Sequence, residues 1–296
     1  MAKFLKNMSD RSNFSPKLTA DGSFTFFSNE FNEDFHSHFG AKQEAIAKFV
    51  EPCQIAQKAA KSDRLCLLDI CYGLGYNTAA ALAVIWQTNP KCFVEWIGLE
   101  INPQISLQAI DRQLLNEYPS PIPKLLKQLT TTDRLETSQF LGTLLVGDAR
   151  IKIQKVLDRN FIADAIFLDP FSPPKCPQLW TVEFLNLVAK CLKPTGIIAT
   201  YSCAASVRKA LSLSGLKLSS SFGLGRPAPG TVASYLDLTP LSPRELEHLS
   251  TRAAIPYRDP TLQDCAASII ERRQTEQQSS NLEPTKRWKK RWLTNN

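Results

Sequence analysis

Four acidic residues stand at the ends of short, mostly apolar runs in the middle of the chain. They are Asp69 after residues 65–68, Glu100 after residues 94–99, Asp148 after residues 144–147, and Asp169 after residues 165–168. Runs of this kind are typical of strands in a parallel sheet that is covered on both faces. Because open α/β sheets bind ligands beyond the carboxyl ends of their strands, the four carboxylates predict a site for a cationic, hydroxyl-bearing ligand.

A stiff loop follows the last of these runs, with the sequence Asp169-Pro170-Phe171-Ser172-Pro173-Pro174. Prolines fix φ and cannot donate to a ladder, so they end the strand at once and hold the backbone of the loop. An acid, a constrained backbone and an aromatic ring together suit a nucleophilic amine attached to a flat base. The alternative is that Asp169 only caps the next turn, and this segment alone leaves both interpretations open.

A glycine turn follows the first run, in the sequence Asp69-Ile-Cys-Tyr-Gly73-Leu-Gly75-Tyr-Asn77-Thr78. The glycines permit a tight turn close to a ligand, and the next helix offers free N–H groups at its start. A dinucleotide site normally has a third glycine where Thr78 stands. The pattern therefore favours a cationic nucleoside without phosphate, such as S-adenosylmethionine, although a purely structural strand, turn and helix would also explain it.

The elements that must position these residues alternate between strands and helices. Glu100 lies about one βαβ unit after the first run, where a ribose diol would need a bidentate acceptor, and Asp148-Ala149 could hold an adenine amino group. A helix end, a Pro-Gly turn and a fifth strand are predicted over residues 191–202. This alternation predicts an α/β fold with a doubly wound, mostly parallel, Rossmann-like sheet.

The chain divides into three predicted parts. Residues 1–45 are aromatic-rich and turn-laden, which predicts a small N-terminal β element with a hairpin at Asp21-Gly22 that covers the mouth of the site. A helix from 41 to 60 follows, and residues 46–235 form the main domain. Residues 236–296 are a C-terminal extension to which the sequence assigns no chemistry before its last residues.

The end of this extension has a polar stretch and a basic tail. Residues 274–284 are polar and predict a flexible connector. Five of the seven residues in Lys286-Arg-Trp-Lys-Lys-Arg-Trp292 are basic, so the rest of the chain contributes only about +2 to the net charge of +7. Cations mixed with tryptophans suit a phosphate backbone and stacked bases. The alternative is that Trp288 and Trp292 pack on the fold, as a strand or as one face of a helical turn, while the cations stay in water.

Composition excludes several classes of protein. The eight cysteines form no C-x-x-C pair, and the three histidines lack the spacing of metal ligands. The sequence therefore predicts free thiols and no metal site. No run of 18 apolar residues and no signal-type N-terminal stretch is present, so a cytoplasmic protein with no membrane partner is expected. A chain of 296 residues that is 43% hydrophobic can bury one large core.

Several segments resemble a known family, and the Asp-Gly-Ser, His-Ser and Asp-Pro-Phe-Ser-Pro pieces among them are far more specific than the glycine turn. The segments are residues 19–25 (Thr-Ala-Asp-Gly-Ser-Phe-Thr), 33–45 with His36-Ser37 and Glu44, the glycine turn with Asn77, 98–100, 147–149, 168–180 and 221–226. Over about residues 16–235 the chain resembles the methyltransferase part of the bacterial tRNA 5-methylaminomethyl-2-thiouridine biosynthesis bifunctional proteins. The likeness is to a stand-alone form without the FAD oxidoreductase domain.

The resemblance implies a reaction and a set of roles. It implies methyl transfer from S-adenosylmethionine to the exocyclic amine of 5-aminomethyl-2-thiouridine at the tRNA wobble position, with a separate enzyme supplying the aminomethyl intermediate. Asp169 would accept or orient the amine proton, and Phe171 would stack on the base. The cofactor would contact Asp69, Gly73, Gly75, Asn77, Glu100, Asp148 and Ala149, and the substrate would contact His36, Glu44, Pro170 and Lys175.

Two hypotheses of other kinds remain open from the sequence. An amine-acting transferase on a small molecule, similar to the polyamine aminopropyltransferases, would share the sheet and the acidic ligand set. It would have an acid-rich substrate cavity and no nucleic-acid surface. A non-catalytic tRNA-binding module would retain only a degenerate cofactor site, which the presence of all four strand-end carboxylates disfavours.

Overall fold

The computed structural model describes residues 16–221 and 229–294 of the protein. The predictions for residues 1–15, and the match at 222–226, lie outside the described residues.

The N-terminal part forms two small hairpins. They consist of β1 (Lys17–Leu18), β2 (Phe24–Thr25), β3 (Phe27–Ser28) and β4 (Glu33–Asp34). The β1–β2 pair encloses Asp21-Gly22, and Gly22 has φ of +80°, so the predicted hairpin is present. The Asp21 carboxylate accepts from the Ser23 and Thr19 hydroxyls, and these bonds hold the turn together.

The predicted helix over residues 41–60 is broken into three pieces. They are α1 (Ala41–Glu44), a π-helix (Ala45–Val50) and α2 (Ile55–Ala59). Pro52 lacks an N–H and its ring crowds the carbonyl four residues earlier. The Glu51 N–H therefore bonds to the carbonyl of Ile46, five residues back, and Gln54 turns the chain at φ of +55°.

Eight strands form the central sheet. In chain order they are β5 (Arg64–Ile70), β6 (Phe93–Glu100), β7 (Arg134–Glu136), β8 (Phe140–Val146), β9 (Ala163–Leu168), β10 (Leu192–Thr200), β11 (Lys217–Ser220) and β12 (Thr231–Ser234). Their order across the sheet is β11-β12-β10-β9-β5-β6-β8-β7. Strands β10, β9, β5, β6 and β8 are parallel, which confirms the predicted doubly wound, mostly parallel sheet.

Two details of the sheet bear on the site. After β5, the next strand of the chain, β6, lies on one side of β5, whereas the later strands β9 and β10 lie on its other side. The switch point of the topology is therefore between β5 and β9. A ligand crevice is expected there. The Pro-Gly turn predicted before the fifth strand lies inside β10, where pairing with β9 is interrupted between Leu192 and Ile197.

Helices cover both faces of the sheet. They are α3 (Tyr76–Thr88), α4 (Pro103–Asp111), α5 (Ile122–Thr132), α6 (Ala149–Asp158), a 3₁₀ helix (Pro177–Trp180), α7 (Val182–Lys190) and α8 (Ala205–Leu213). One buried core joins the sheet to α3, α4, α5 and the N-terminal helices. A second core lies on the opposite face, beneath α6, α7 and α8. Burial of the sheet on both faces explains its nearly continuous apolar strands.

The C-terminal extension folds onto the second face. It contains α9 (Pro243–His248), a 3₁₀ turn (Arg252–Ala254), α10 (Ala266–Ser279) and α11 (Thr285–Thr294). The prediction of a flexible connector over 274–284 is wrong up to Ser279, because α10 continues through it. Arg273 donates to the carbonyl of Ile255 at 2.6 Å, and Gln277 donates to that of Arg252 at 2.9 Å.

The basic tail is helical. Trp288 is buried and stacks on His248 of α9 with ring centroids 4.3 Å apart, and the Trp292 indole donates to Glu247 at 2.7 Å. The tryptophans therefore pack on α9, and not on the sheet. Among residues 16–221 and 229–294, no helix has the length and apolar character needed to cross a membrane.

Candidate active site

A cavity of about 880 Å³ opens at the carboxyl edge of the sheet, around the switch point. Ten of the thirteen predicted site residues line it: His36, Glu44, Gly73, Asn77, Glu100, Asp148, Ala149, Asp169, Pro170 and Phe171. Asp69, Gly75 and Lys175 do not. The strand-end pattern in the sequence therefore locates one cavity, as the topology of an open α/β sheet requires.

Glu100 is the most buried carboxylate in the cavity wall, with 6% of its surface exposed. One carboxylate oxygen accepts the N–H of Gly73 and the other accepts the N–H of Asn102, both at 2.8 Å. Each oxygen keeps a further lone pair, so the group suits a vicinal diol. Burial raises the pKa of Glu100, against the effect of these backbone bonds.

The glycine turn is held in place by neighbouring side chains. Gly73 and Gly75 have φ of +56° and +91°, and a Cβ on Gly75 would lie 2.8 Å from the Tyr72 hydroxyl. The Ser106 hydroxyl donates to the carbonyl of Gly73 at 2.6 Å. Gly75 therefore shapes the turn and starts α3, while Gly73 lines the cavity.

Asp69 lies beneath this turn, and the expectation that it contacts the cofactor is corrected. It is fully buried and accepts the Thr78 hydroxyl at 2.6 Å, and that hydroxyl accepts the Trp96 indole N–H at 2.9 Å. Desolvation raises the pKa of Asp69 to about 7. Its carboxyl group ties β5 to α3 and does not reach the cavity wall.

Asp148 and Ala149 begin α6 at the end of β8. The Asp148 side chain caps the helix by accepting the N–H of Arg150 at 2.9 Å. The Arg150 guanidinium also donates to the same carboxylate, with its shortest contact at 2.7 Å. The carboxylate is thus fixed in orientation while 31% of it stays exposed.

Asp169 leaves the sheet one residue beyond β9. Its N–H donates to the carbonyl of Ile70, and one of its carboxylate oxygens accepts Asn77 Nδ2 at 2.8 Å. The loop after it is anchored, because the Tyr201 hydroxyl donates to the carbonyl of Pro170 at 2.9 Å and the Trp180 indole donates to that of Phe171 at 2.8 Å. The predicted stiff loop is therefore fixed by partners as well as by its prolines.

Residues 28–39 cover the cavity, and we call them the roof. The Glu33 carboxylate accepts both the N–H and the hydroxyl of Ser172, which fastens the roof to the Asp169 loop. Phe31 stacks on Phe171 with centroids 4.4 Å apart, and Phe35 meets the same ring edge-on at 4.9 Å. A base that stacks on Phe171 would have to displace Phe31, so in this conformation Phe171 packs against the roof.

His36 and Glu44 line the cavity from the N-terminal part. The His36 ring contacts the Thr25 hydroxyl at 3.2 Å and the Tyr76 ring edge-on, and desolvation lowers its pKa to about 4. Glu44 accepts the N–H and the hydroxyl of Ser37, at 3.1 and 2.5 Å. His36 is therefore neutral at physiological pH, and Glu44 holds the base of the roof.

The sequence reasoning missed Lys48, which lines the cavity and is only 1% exposed. It lies on the π-helix, and π-helical turns concentrate at functional sites. The only signal for it in the sequence was Pro52, four residues later. Lys175, in contrast, is exposed and does not line the cavity, so the prediction that it contacts substrate is not supported by its position.

The wall of the cavity is strongly acidic. Among the described residues, two basic side chains line it, Lys48 and Arg150, against seven carboxyl groups: Glu30, Glu33, Asp34, Glu44, Glu100, Asp148 and Asp169. In a partly enclosed cavity such a charge set favours cations. Among residues 16–221 and 229–294, no group of three or more His, Cys, Asp or Glu side chains could hold a metal ion.

Comparison with known proteins first identifies the class of protein to which the chain belongs. Residues 106–235 match the family model of S-adenosyl-L-methionine-dependent methyltransferases, which agrees with the fold and the acid-lined cavity. The chain is thus a Rossmann-like, S-adenosyl-L-methionine-dependent methyltransferase. A solved structure, MnmC2 from Aquifex aeolicus, aligns over 92% of this chain and 87% of that one, with 35% identity and a TM-score of 0.80. The chain belongs to the MnmC2 family of methyltransferases.

Two further relatives extend the comparison. The uncharacterized protein MJ0670 of Methanocaldococcus jannaschii is 30% identical over 86% of this chain and 70% of its own length. The tRNA 5-methylaminomethyl-2-thiouridine biosynthesis bifunctional protein MnmC of Polaromonas naphthalenivorans is 30% identical over 70% of this chain. The chain spans about a third of the length of that bifunctional protein.

The residues of the cavity fit S-adenosylmethionine. The buried Glu100 carboxylate suits the ribose diol, the exposed part of the Asp148 carboxylate suits an amino group, and the acidic wall suits a sulfonium and an ammonium. Gly73 brings backbone close to the cavity without a third glycine for a pyrophosphate. The arrangement therefore favours a cationic nucleoside.

Proposed function

We propose that this chain transfers a methyl group from S-adenosylmethionine to the exocyclic amine of 5-aminomethyl-2-thiouridine at the wobble position of tRNA. The acid-lined cavity in which Asn77 holds Asp169 carries the proposal, since it combines a cofactor site with a carboxylate suited to an amine. The MnmC relatives, named for the biosynthesis of 5-methylaminomethyl-2-thiouridine in tRNA, support the choice of substrate.

The reaction requires that the substrate amine is neutral and is aligned with the methyl group. When bound, the cofactor supplies an electrophilic methyl group on a sulfonium. The substrate arrives largely as an ammonium, which has no lone pair, so one proton must leave before the nitrogen can attack in line. Asp169 accepts that proton or orients the nitrogen while water takes it. Attack on the methyl group would form the carbon–nitrogen bond as the carbon–sulfur bond breaks, so the product would be a secondary ammonium and the spent cofactor a neutral thioether.

The other residues take roles that follow from their positions. Gly73, Asn77, Glu100, Asp148 and Ala149 hold the cofactor. Asp69 and Gly75 keep the glycine turn in shape from below. His36 and Pro170 shape the substrate end of the cavity, Glu44 supports the roof, and the buried Lys48 side chain forms part of the cavity wall.

The basic tail meets the tRNA through one face of α11. Trp288 and Trp292 point toward α9, and Arg291 pairs with Glu247 and Glu283 at 2.9 and 2.8 Å. Lys286 and Lys289 are exposed. The tail therefore presents exposed lysines that could bind phosphates, while both of its tryptophan rings are engaged with α9 and do not stack on bases.

A matched pair of variants tests the tail. Replacing Lys286 and Lys289 by Gln should weaken tRNA binding and flatten its salt dependence, by at most about 0.9 in slope per lost contact. Replacing the exposed Lys124 and Lys127 of α5 by Gln removes the same charge elsewhere and should leave the slope unchanged. Equal slopes for the two variants would remove α11 from the interface.

A second candidate function also has an observation in its favour. An amine-acting transferase on a small molecule would have an acid-rich cavity, and seven carboxylates line this one. Such an enzyme would use a polyamine as acceptor, with S-adenosylmethionine or its decarboxylated form as donor. The basic face of α11 has no use in that reaction.

One experiment separates the two functions. Radiolabelled S-adenosylmethionine is incubated with tRNA that carries the aminomethyl intermediate, with fully modified tRNA as the control, and with a panel of polyamines. A parallel series uses decarboxylated cofactor. Label in the wobble nucleoside of the intermediate tRNA alone would support the proposal. Label in a polyamine, with none in tRNA, would replace it by the second candidate.

A further inference from the structure

One arginine links the cavity wall to the C-terminal extension. Nε and one terminal nitrogen of Arg150 donate to the Asp148 carboxylate, the shortest contact being 2.7 Å. The other terminal nitrogen donates to the Asp259 carboxylate at 2.8 Å and to the carbonyl of Asp264 at 2.9 Å. The planar fork of the guanidinium fixes the angle between its partners.

Asp259 is held in place by the extension itself. It is fully buried, and the oxygen not used by Arg150 accepts the N–H groups of Gln263 and Asp264 at 3.1 and 3.2 Å. Its own N–H donates to Glu183 of α7 at 2.8 Å. A buried carboxylate is retained at a high cost in desolvation; here one of its oxygens holds Arg150, while its other bonds fix its own loop and tie that loop to α7.

We infer that Asp259 is a positioning residue for the cofactor site, which it orients through Arg150 and the Asp148 carboxylate. The loop of residues 254–264, to which the sequence assigned no chemistry, thereby sets the adenine end of the cavity. This inference rests on the proposed role of Asp148 as the partner of the adenine amino group. It gives the C-terminal extension a function in cofactor recognition that is separate from any contact with tRNA.

Asp148 and Asp259 both bind the Arg150 guanidinium, so each restricts how the other can be held. With Asp259 and the Asp264 carbonyl in place, the guanidinium lies in one plane, and the Asp148 carboxylate has one orientation against it. Without Asp259, Arg150 can rotate toward the cavity and bind Asp148 in several geometries. The amino group of adenine then meets a carboxylate that is no longer preorganised, and affinity falls because ordering must occur on binding.

The readout is discrimination between two ligands that differ only at position 6 of the base. S-adenosylhomocysteine carries the 6-amino group, and its 6-deamino analogue, with a purine in place of adenine, carries a hydrogen there and keeps N1 as an acceptor. The ratio of their affinities, measured by calorimetry on the full chain, reports on the Asp148 contact alone. Loss of folding or of general packing would weaken both ligands and leave the ratio unchanged.

Three variants complete the test. In Asp259→Asn the single amide oxygen cannot serve both Arg150 and the two backbone N–H groups, so the ratio should fall by about 10- to 150-fold, the range of one charged hydrogen bond. Asp264→Asn is the matched control, because Arg150 contacts only its backbone carbonyl while its side chain pairs with Arg272 at 2.6 Å. Asp148→Asn measures the adenine contact directly.

The outcomes distinguish the inference from the assignment on which it rests. A reduced ratio in Asp148→Asn and in Asp259→Asn, with a wild-type ratio in Asp264→Asn, supports the inference. A reduced ratio in Asp148→Asn alone overturns it and keeps the role of Asp148. An unchanged ratio in Asp148→Asn removes that role. If Asp259→Asn does not fold, Arg150→Lys keeps the charge without the fork and should reduce the ratio in the same way.

Discussion

The strongest test of the mechanism is the substitution Asp169→Asn. The amide has the shape of the carboxylate and can still accept Asn77 Nδ2, which lies 2.8 Å from the native oxygen. Only the negative charge and the ability to accept a proton are lost. The structure thus allows the chemical role of Asp169 to be removed with little change in the loop, whose anchors are the backbone carbonyls of Pro170 and Phe171.

The expected loss follows from the role of a positioned proton acceptor. Such groups contribute about 10²–10⁴ in rate, or about 2.7–5.4 kcal/mol of activation free energy at 1.36 kcal/mol per decade. Cofactor affinity should change by less than about threefold, because Glu100 and Asp148, the residues proposed to hold the cofactor, are unaltered. Raising the pH should restore part of the rate, since more of the substrate amine is then neutral before it binds.

The assay is methyl transfer to tRNA that carries the aminomethyl intermediate, followed across pH at saturating cofactor. Cofactor affinity is measured in parallel by calorimetry. Glu30→Gln is the control, because it removes one exposed carboxylate from the same cavity wall without touching the Asp169 loop. Turnover of Asp169→Asn near the wild-type rate at neutral pH would refute the mechanism. Loss of cofactor binding would instead reassign Asp169 to holding the cofactor.

Three other predictions concern the cofactor, the buried acid and the roof. Glu100→Gln should weaken S-adenosylmethionine binding by about 1–3 kcal/mol, and unchanged affinity in calorimetry would remove Glu100 from the ribose site. The pKa of Asp69 is raised to about 7 in the folded chain, so its carboxyl destabilises the fold progressively as pH rises from about 4 to about 7. Urea unfolding at several pH values should therefore show Asp69→Asn gaining up to about 4 kcal/mol relative to the wild type across that window, and a constant difference would contradict the raised pKa. Phe31→Ala removes the ring stacked on Phe171, a contact typically of about 0.5–1.5 kcal/mol; it should lower KM for tRNA, because a base no longer has to displace that ring, and leave cofactor affinity unchanged, whereas a changed cofactor affinity with the wild-type KM would place the roof over the cofactor.

Much of the fold could be predicted because its signals are local. The apolar runs that end at Glu100, Asp148 and Asp169 became β6, β8 and β9, since a strand buried on both faces must be apolar along its whole length. Alternation with helices then fixes a parallel sheet, and parallel strands bring their carboxyl ends to one edge. The cavity at that edge follows from these rules before any side chain is placed.

Two acids with the same local pattern nevertheless differ in position. Asp69 lies inside β5, paired with Gly98 and Phe167, so its side chain enters the layer beneath the glycine turn. Asp169 lies one residue beyond the end of β9, where the ladder no longer directs its side chain and Asn77 can hold it in the cavity. Asp69 is level with Phe167 in the ladder, so Asp169 lies two positions farther toward the carboxyl edge. This offset decides which acid lines the cavity, and the sequence does not contain it.

By itself the sequence determined the five parallel strands, the edge at which the cavity opens, and the chemical character of the residues there, because each depends on neighbours within a few positions. Only the tertiary structure decided which groups meet across long separations. Glu33 and Phe31 come to the Asp169 loop from about 140 positions away, and Asp259 reaches Arg150 across 109. Such contacts depend on how whole layers pack, and their free energy comes from desolvated surfaces that no local pattern of residues encodes.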